Sequence, residues 1–306
     1  MERHNQWMSY SFDNIEYGKK TDSNSIFKIH FNKKIDKTIP SYRDALFNNA
    51  RIMRDSYNEP FDVMLSGGVD SEMVVRTFHS VGIKHNTFIF RLENNYNIRD
   101  VNCAIDLCKN LNINYKIIDF NLQKFFENDA LDLFKKTLIP RSGRIVRLAW
   151  FDYLDNIPVF CDGEPYWRRD ANNDFSKKST WRLILNEDGY SCSTYAKSIS
   201  RTAIGDWYEY TPELVLSYTE VPLVKKLLND EILGKISSWS SRSAIHRSIW
   251  PDVQDKIKLV GYEGANGDPA LSRPNFMNHF QTTYMNRVSN THYEYTEEEL
   301  RNLILN

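Results

Sequence analysis

Phe61-Asp-Val-Met-Leu65 runs directly into Ser66-Gly67-Gly68-Val69-Asp70-Ser71, and Glu72-Met-Val-Val75 follows with helical patterning. A short apolar run ending at glycines reads as a buried strand, and the spacing from Ser71 to Val81 reads as a helix. The six residues between them leave backbone N–H groups at the mouth of that helix. Without side chains at Gly67 and Gly68 an anion can approach those donors closely, and the helix dipole adds attraction. Asp70 is the odd member, since a carboxylate repels phosphate unless a cation such as Mg²⁺ lies between them. A plain βα turn with Asp70 and Ser71 as helix-start residues would need only a few small residues. The complete pattern in a strand–loop–helix context favours a phosphate cradle. The longer Walker spacing with its Lys-Ser/Thr ending is absent, as is GxGxxG.

Outward from this junction the chain alternates. Thr87-Phe-Ile-Phe90 and Tyr115-Lys-Ile-Ile-Asp-Phe120 read as strands, Val101–Leu111 as the helix between them, and about 122–137 and 141–155 as two more helices. Ile157-Pro-Val-Phe-Cys161 is the next strand. Such alternation predicts a parallel sheet covered by helices, with ligands beyond the carboxyl ends of the strands. That rule singles out 66–71, 91–100 and 162–169. Ahead of it, residues 1–60 form a β/α lead-in, with Pro40 and Ser41 opening a helix to about Tyr57. Residues 61–167 are the core. Residues 168–306 are expected to be mainly helical, with a hairpin around Asn186-Glu-Asp-Gly189, a helix start at Thr211-Pro212, helix over much of Trp239–Val260, and a capping box at Thr296–Glu299.

The composition is that of an ordinary soluble protein, 41% hydrophobic and 26% charged, and no apolar run reaches the roughly 18 residues of a membrane span. The polar start Met1-Glu-Arg-His-Asn does not resemble a signal peptide, so a cytoplasmic protein is expected. A net charge of −1 gives no global attraction to nucleic acid. Cys103, Cys108, Cys161 and Cys192 contain no CxxC pair and no zinc spacing, which argues against a structural metal or iron–sulfur cluster.

Ser66-Gly67-Gly68-Val69-Asp70-Ser71 resembles the SGGxDS pyrophosphate loop of the PP-loop ATP pyrophosphatases, a superfamily that includes asparagine, GMP, NAD and argininosuccinate synthetases, tRNA thiolation and lysidine enzymes, and phosphoadenylylsulfate reductases. The resemblance covers about residues 60–167. It implies an α/β fold with a five-stranded parallel sheet of the adenine nucleotide alpha hydrolase type. It also implies Mg²⁺ and ATP across the strand ends and cleavage between the α and β phosphates. The expected products are an adenylated substrate and pyrophosphate. In such a site Ser66–Ser71 would hold the phosphates, and Phe90 and Arg91 would lie against adenine.

Within the superfamily the pattern is closest to the synthetase domain of asparagine synthetase. Asp100 followed by Ala104 matches it, and Cys161-Asp162-Gly163-Glu164 resembles its acidic G-x-G-x-D-E strand end with different spacing. That departure leaves open whether Asp162 or Glu164 joins Asp70 at the metal. Lys256 and Lys258 are candidates for the basic residue that meets the leaving pyrophosphate. Arg141, Arg144 and Arg147 recur every three residues and would line a helix face, for phosphate or for solvent. Residue 2 is Glu2, so no glutaminase half is expected, and ammonia or sulfur would come from a partner.

Alternatives stay open. Adenylation of a nucleic-acid base draws on the aromatic and basic run Tyr166–Arg182, but between 141 and 182 eight Lys/Arg face six Asp/Glu. Cys161 and Cys192 would be the thiolation pair in such a reading. Nucleotide binding of the phosphoadenylylsulfate reductase type lacks the C-terminal cysteine motif. A non-catalytic ATP-binding protein is the last alternative.

Overall fold

The computed structural model describes residues 7–13, 15–16, 20–36, 38–161, 166–169, 181–229, 235–236, 239–254 and 274–306. Strands β1 (Met8–Phe12), β2 (Ile15–Glu16) and β3 (Phe27–Phe31) form an antiparallel sheet in the order β2-β1-β3. Helix α1 (Tyr42–Ser56) follows, where the Ser41 hydroxyl accepts from the Asp44 N–H at 3.2 Å and so satisfies a first-turn donor.

The core alternates as its patterning predicts: β4 (Phe61–Met64), α2 (Val69–Ser80), β5 (His85–Leu92), α3 (Ile98–Asn110), β6 (Tyr115–Phe120), α4 (Leu122–Asn128), α5 (Ala130–Thr137), α6 (Ser142–Ala149) and β7 (Ile157–Val159). The sheet is parallel throughout, in the order β6-β5-β4-β7, with Phe61 level with both His85 and Ile157. Side chains alternate between its faces. Phe61, Val63 and Ile89 pack on the side that includes α1, α2 and α3, while Met64, Phe88, Phe90 and Leu92 pack with α4, α5 and α6. With both faces covered, a central strand must be apolar, and all of β4 is buried. Its one acid, Asp62, accepts from Asn86 Nδ2 at 2.7 Å and from Asn156 N and Nδ2 at 2.9 Å, so burial leaves its carboxylate satisfied.

Among the described residues four strands stand where five were expected. At the place of a fifth are only isolated bridges, Val159 with Ile204 and Cys161 with Asp206: the Ile204 N–H donates to Pro158 C=O at 2.8 Å, and its carbonyl accepts from Phe160 N–H at 2.7 Å. Ala203 and Ile204 are followed at once by Gly205 and Asp206, so no apolar run is available to extend the ladder. The expected helix over 122–137 is broken at Asp129 into α4 and α5, and the one over 141–155 ends its α-helical part at Ala149.

The C-terminal region differs more. Asn186-Glu-Asp-Gly189 is no hairpin turn, because the Asn186 side chain accepts from Asp188 N–H and starts α7 (Glu187–Ser198). Asn as a cap with two acids in the first turn fits a helix start as well as it fits a turn, and the helix prevails. Instead β8 (Tyr166–Arg169) pairs with β9 (Trp181–Asn186). With β10 (Lys235–Ile236) and β11 (His292–Thr296) they form an antiparallel sheet in the order β10-β8-β9-β11. A four-stranded sheet therefore runs through a region expected to be mainly helical. Its helices include α8 (Pro212–Glu220), α9 (Pro222–Leu228), α10 (Trp239–Arg247), α11 (Asn275–Phe280) and α12 (Glu297–Ile304), which carries the expected Thr296–Glu299 capping box. Among the described residues no helix is long and apolar enough to cross a membrane.

Candidate functional site

Strand β4 has β5 on one side and β7 on the other, and the chain reached β7 only after passing outward to β6. The carboxyl end of β4 is therefore where connections part in opposite directions, the place where open α/β sheets hold ligands. Ser66–Ser71 lies there. Gly67 has φ +84°, and a Cβ on it would stand 2.0 Å from the Asp100 carbonyl oxygen in the first turn of α3. Only glycine satisfies both conditions, so the loop is pressed against α3 without a side chain between them. Asp100 thus shapes the loop through its backbone.

Gly68 is the N-cap of α2 and no side chain caps the helix. The first intrahelical bond is Glu72 N–H to Gly68 C=O at 3.1 Å, so the amides of Val69, Asp70 and Ser71 precede it. The serines hold the loop's shape: Ser71 Oγ accepts from Ser66 N–H at 3.1 Å, donates to Gly68 C=O at 3.0 Å, and lies 3.0 Å from Ser66 Oγ. A helix start with first-turn amides and no side-chain cap is an anion-binding feature.

Asp70 is gripped from the C-terminal region. Arg242 Nη1 of α10 lies 3.0 Å from Asp70 Oδ2, and Tyr208 Oη donates to the Asp70 carbonyl at 2.8 Å. The other carboxylate oxygen, Oδ1, is buried and has no hydrogen-bond partner among the described residues. Burial, and then the nearby Asp70 charge, push the Tyr208 phenol well up, so it stays neutral and donates. Tyr42 and Tyr218, packed edge to face at 5.5 Å, shift the same way for the same reasons. His246, one turn beyond Arg242 and buried, is lowered to about 4 by burial against the opposing pull of Asp70, and so is neutral near pH 7.

An unpartnered buried carboxylate oxygen suits a hard cation such as Mg²⁺. Among the described residues no group of three or more His, Cys, Asp or Glu could hold a metal. One carboxylate completed by substrate phosphate oxygens is, however, a usual way of holding Mg²⁺. Asp162 and Glu164, the other acids expected at the metal, and Lys256 and Lys258, expected at the pyrophosphate, lie outside the described residues.

At the end of β5, the Phe90 ring stacks on Trp150 at 4.3 Å within the core, and its carbonyl accepts from Asn97 Nδ2 at 2.8 Å. Arg91 makes a two-point pair with Asp119 on the neighbouring strand, at 2.6 and 2.9 Å. Of the three arginines at 141, 144 and 147, Arg141, the N-cap of α6, pairs with the buried Asp188 at 2.6 Å, an ion pair within the fold. Burial pushes the Cys161 thiol far up and the Cys192 thiol to about 11, so near pH 7 both are thiols rather than nucleophilic thiolates. Most of the aromatic and basic run at 166–182 lies outside the described residues.

Neither Tyr208 nor Arg242 was singled out from the sequence. The single local cue was the spacing of Arg242 and His246, which puts both on one face of α10.

No family model matches the chain, and no curated protein matches it. Among solved structures it is similar to NMN synthetase from Francisella tularensis, at 13% identity and a TM-score of 0.33, covering 81% of this chain and 94% of that one. It is also similar to the NH3-dependent NAD synthetase from Campylobacter jejuni in complex with the nitrate ion, at 15% identity and a TM-score of 0.30, covering 71% and 96%. At these scores the fold assignment rests on the strand order and helix placement of the chain itself.

Proposed function

We propose that this chain is an ATP pyrophosphatase-type ligase that binds ATP over Ser66–Ser71 and cleaves it to AMP and pyrophosphate, as the synthetase half of asparagine synthetase would. The observation that carries the reading is the start of α2, with no side-chain cap, at the switch point of the parallel sheet, formed by a loop whose Gly67 admits no side chain. An oxygen of the acceptor, a carboxylate or carbonyl, attacks the α-phosphorus, and the bond to the bridging oxygen breaks with its electron pair leaving on pyrophosphate. Ammonia or an amine then attacks the adenylated carbon, and AMP departs with the acceptor oxygen.

Each group of residues has a physical task. The first-turn amides of α2 hold phosphate oxygens and offset charge as it builds on the leaving group. The two serines keep the loop in one shape, so in-line placement costs little at the moment of reaction. Asp70, with Asp162 or Glu164, would hold Mg²⁺, which when bound supplies charge neutralisation between carboxylate and phosphates. Lys256 or Lys258 would meet the departing pyrophosphate, and Phe90 and Arg91 would border the adenine. An ammonia- or sulfur-donating partner would supply the nucleophile.

The test is a screen of pure protein with Mg²⁺ and ATP against pooled amino acids, nucleosides and tRNA, reading AMP and pyrophosphate. Acceptor-dependent AMP supports the reading. Formation of ADP instead, or nucleotide binding without any pyrophosphate release, overturns it.

A further inference from the structure

The turn Trp207–Glu209 lies far from the loop in sequence, yet it is anchored on both sides and touches residue 70 from its middle. Trp207 is wholly buried with its ring 5.3 Å from Phe78 of α2, and its carbonyl accepts from the buried Asn49 of α1 at 3.2 Å. Glu209, 2% exposed, accepts a 2.5 Å hydrogen bond from Tyr190 Oη of α7. Between these anchors Tyr208, 1% exposed, places its hydroxyl on the Asp70 carbonyl. The neighbours of Tyr208 are thus tied to α1, α2 and α7, and its ring has no freedom to follow Asp70 if Asp70 moves.

We infer that Tyr208 is a positioning residue: the turn Trp207–Glu209 is a bracket that sets where Asp70 presents its free carboxylate oxygen to a cation carried by the nucleotide. Arg242 of α10 holds Oδ2 and Tyr208 holds the backbone of the same residue, so two points fix a residue whose Oδ1 has no hydrogen-bond partner among the described residues. The bracket acts on the cation through Asp70 and touches neither phosphate nor acceptor. It rests on the ATP-binding reading above.

The test is calorimetric titration with an ATP analogue that cannot be cleaved between its α and β phosphates, once as its Mn²⁺ complex and once metal-free with chelator. Tyr208→Phe removes one hydrogen bond at nearly constant volume and is expected to weaken binding of the Mn²⁺ complex about fivefold while leaving metal-free binding at the wild-type value. Tyr218→Phe, a buried phenol with no hydrogen bond to Asp70, is expected to match wild type in both forms. Binding of the Mn²⁺ complex by Tyr208→Phe within about twofold of wild type overturns the bracket, as does an equal loss in both forms, which is what a merely structural tyrosine would give. If Tyr208→Phe does not fold, Tyr190→Phe, which loosens the Glu209 anchor, carries the test. A metal-dependent loss in the same direction supports the bracket, and wild-type binding overturns it. Wild-type protein that binds neither form overturns the ATP reading itself, and the bracket with it.

Discussion

Arg242 Nη1 stands 3.0 Å from Asp70 Oδ2, joining α10 to the first turn of α2 across 172 residues of sequence, with each side chain less than one-fifth exposed. The pair explains how a carboxylate can sit at the start of α2 among groups suited to anions. One of its oxygens is neutralised by a guanidinium, and only the other remains for a cation. A half-desolvated pair of this kind is more sensitive to substitution than a surface ion pair.

Asp70→Asn keeps an amide oxygen facing Arg242 but removes the charge. The fold should persist, by circular dichroism, while acceptor-dependent AMP formation falls by about 100-fold or more, because charge neutralisation at the phosphates is lost. Full activity in this variant would show that Asp70 has no part in the chemistry.

Gly67→Ala and Gly68→Ala should part company. At Gly67 a methyl meets the Asp100 backbone at 2.0 Å in a left-handed conformation, and a loss of about 3 kcal/mol or more in denaturant unfolding is expected. At Gly68 the nearest atom is Ser66 Oγ at 3.3 Å, so the protein should fold normally but bind ATP more weakly, the methyl standing where an anion approaches. Gly82→Ala, with φ +72° but open space around it, should cost only about 1 kcal/mol. Equal stabilities for the Gly67 and Gly82 variants would contradict the loop's packing on α3.

His246 is held at about 4 in the fold, below its ordinary value of 6.5, because burial disfavours the imidazolium. Unfolded chains therefore bind a proton first as pH falls, and stability is lost from about pH 6.5 down to about pH 4, by about 3 kcal/mol in all. Unfolding midpoints of wild type and His246→Asn should converge as pH falls through that window. Parallel curves would place the acid sensitivity elsewhere.

Glu209 has the opposite sign. Burial raises its carboxyl well above 4.5, with Asp206 nearby adding to the rise and the Tyr190 hydrogen bond opposing it. Above about pH 4.5 the unfolded chain has released a proton that the folded chain keeps, so the contribution is present at low pH and declines as pH rises. Glu209→Gln should gain stability over wild type progressively from pH 5 to 8, read from thermal midpoints. A constant difference across that range would mean that Glu209 ionises in the fold at its ordinary value.

Much of the core could be read from local pattern. Phe61–Leu65 and Thr87–Phe90 are apolar enough to be covered on both faces, and Ser41, Thr211-Pro212 and Thr296–Glu299 mark helix starts through their own side chains or ring. The errors fell where local chemistry serves two structures. Asn186-Glu-Asp-Gly189 suits a turn and a helix start alike, and packing of α7 against Gly205, where a Cβ would lie 3.3 Å from the Gly189 carbonyl, goes with the helix. The antiparallel sheet β10-β8-β9-β11 joins segments from 166 to 296, and which of these segments pair, and in what order, is set by tertiary packing rather than by the pattern within any one of them.

For the candidate site the division is physical. A βα junction is contiguous, so the amide cradle, the need for glycine at the loop and the awkward acid were all legible in Ser66–Ser71, since backbone donors and a helix dipole depend only on neighbours in sequence. Charge compensation acts through space. That Asp70 is clasped by Arg242, that Tyr208 holds its backbone carbonyl, and that among the described residues one carboxylate oxygen is left without a partner were decided only when α10 and the turn Trp207–Glu209 packed against α2.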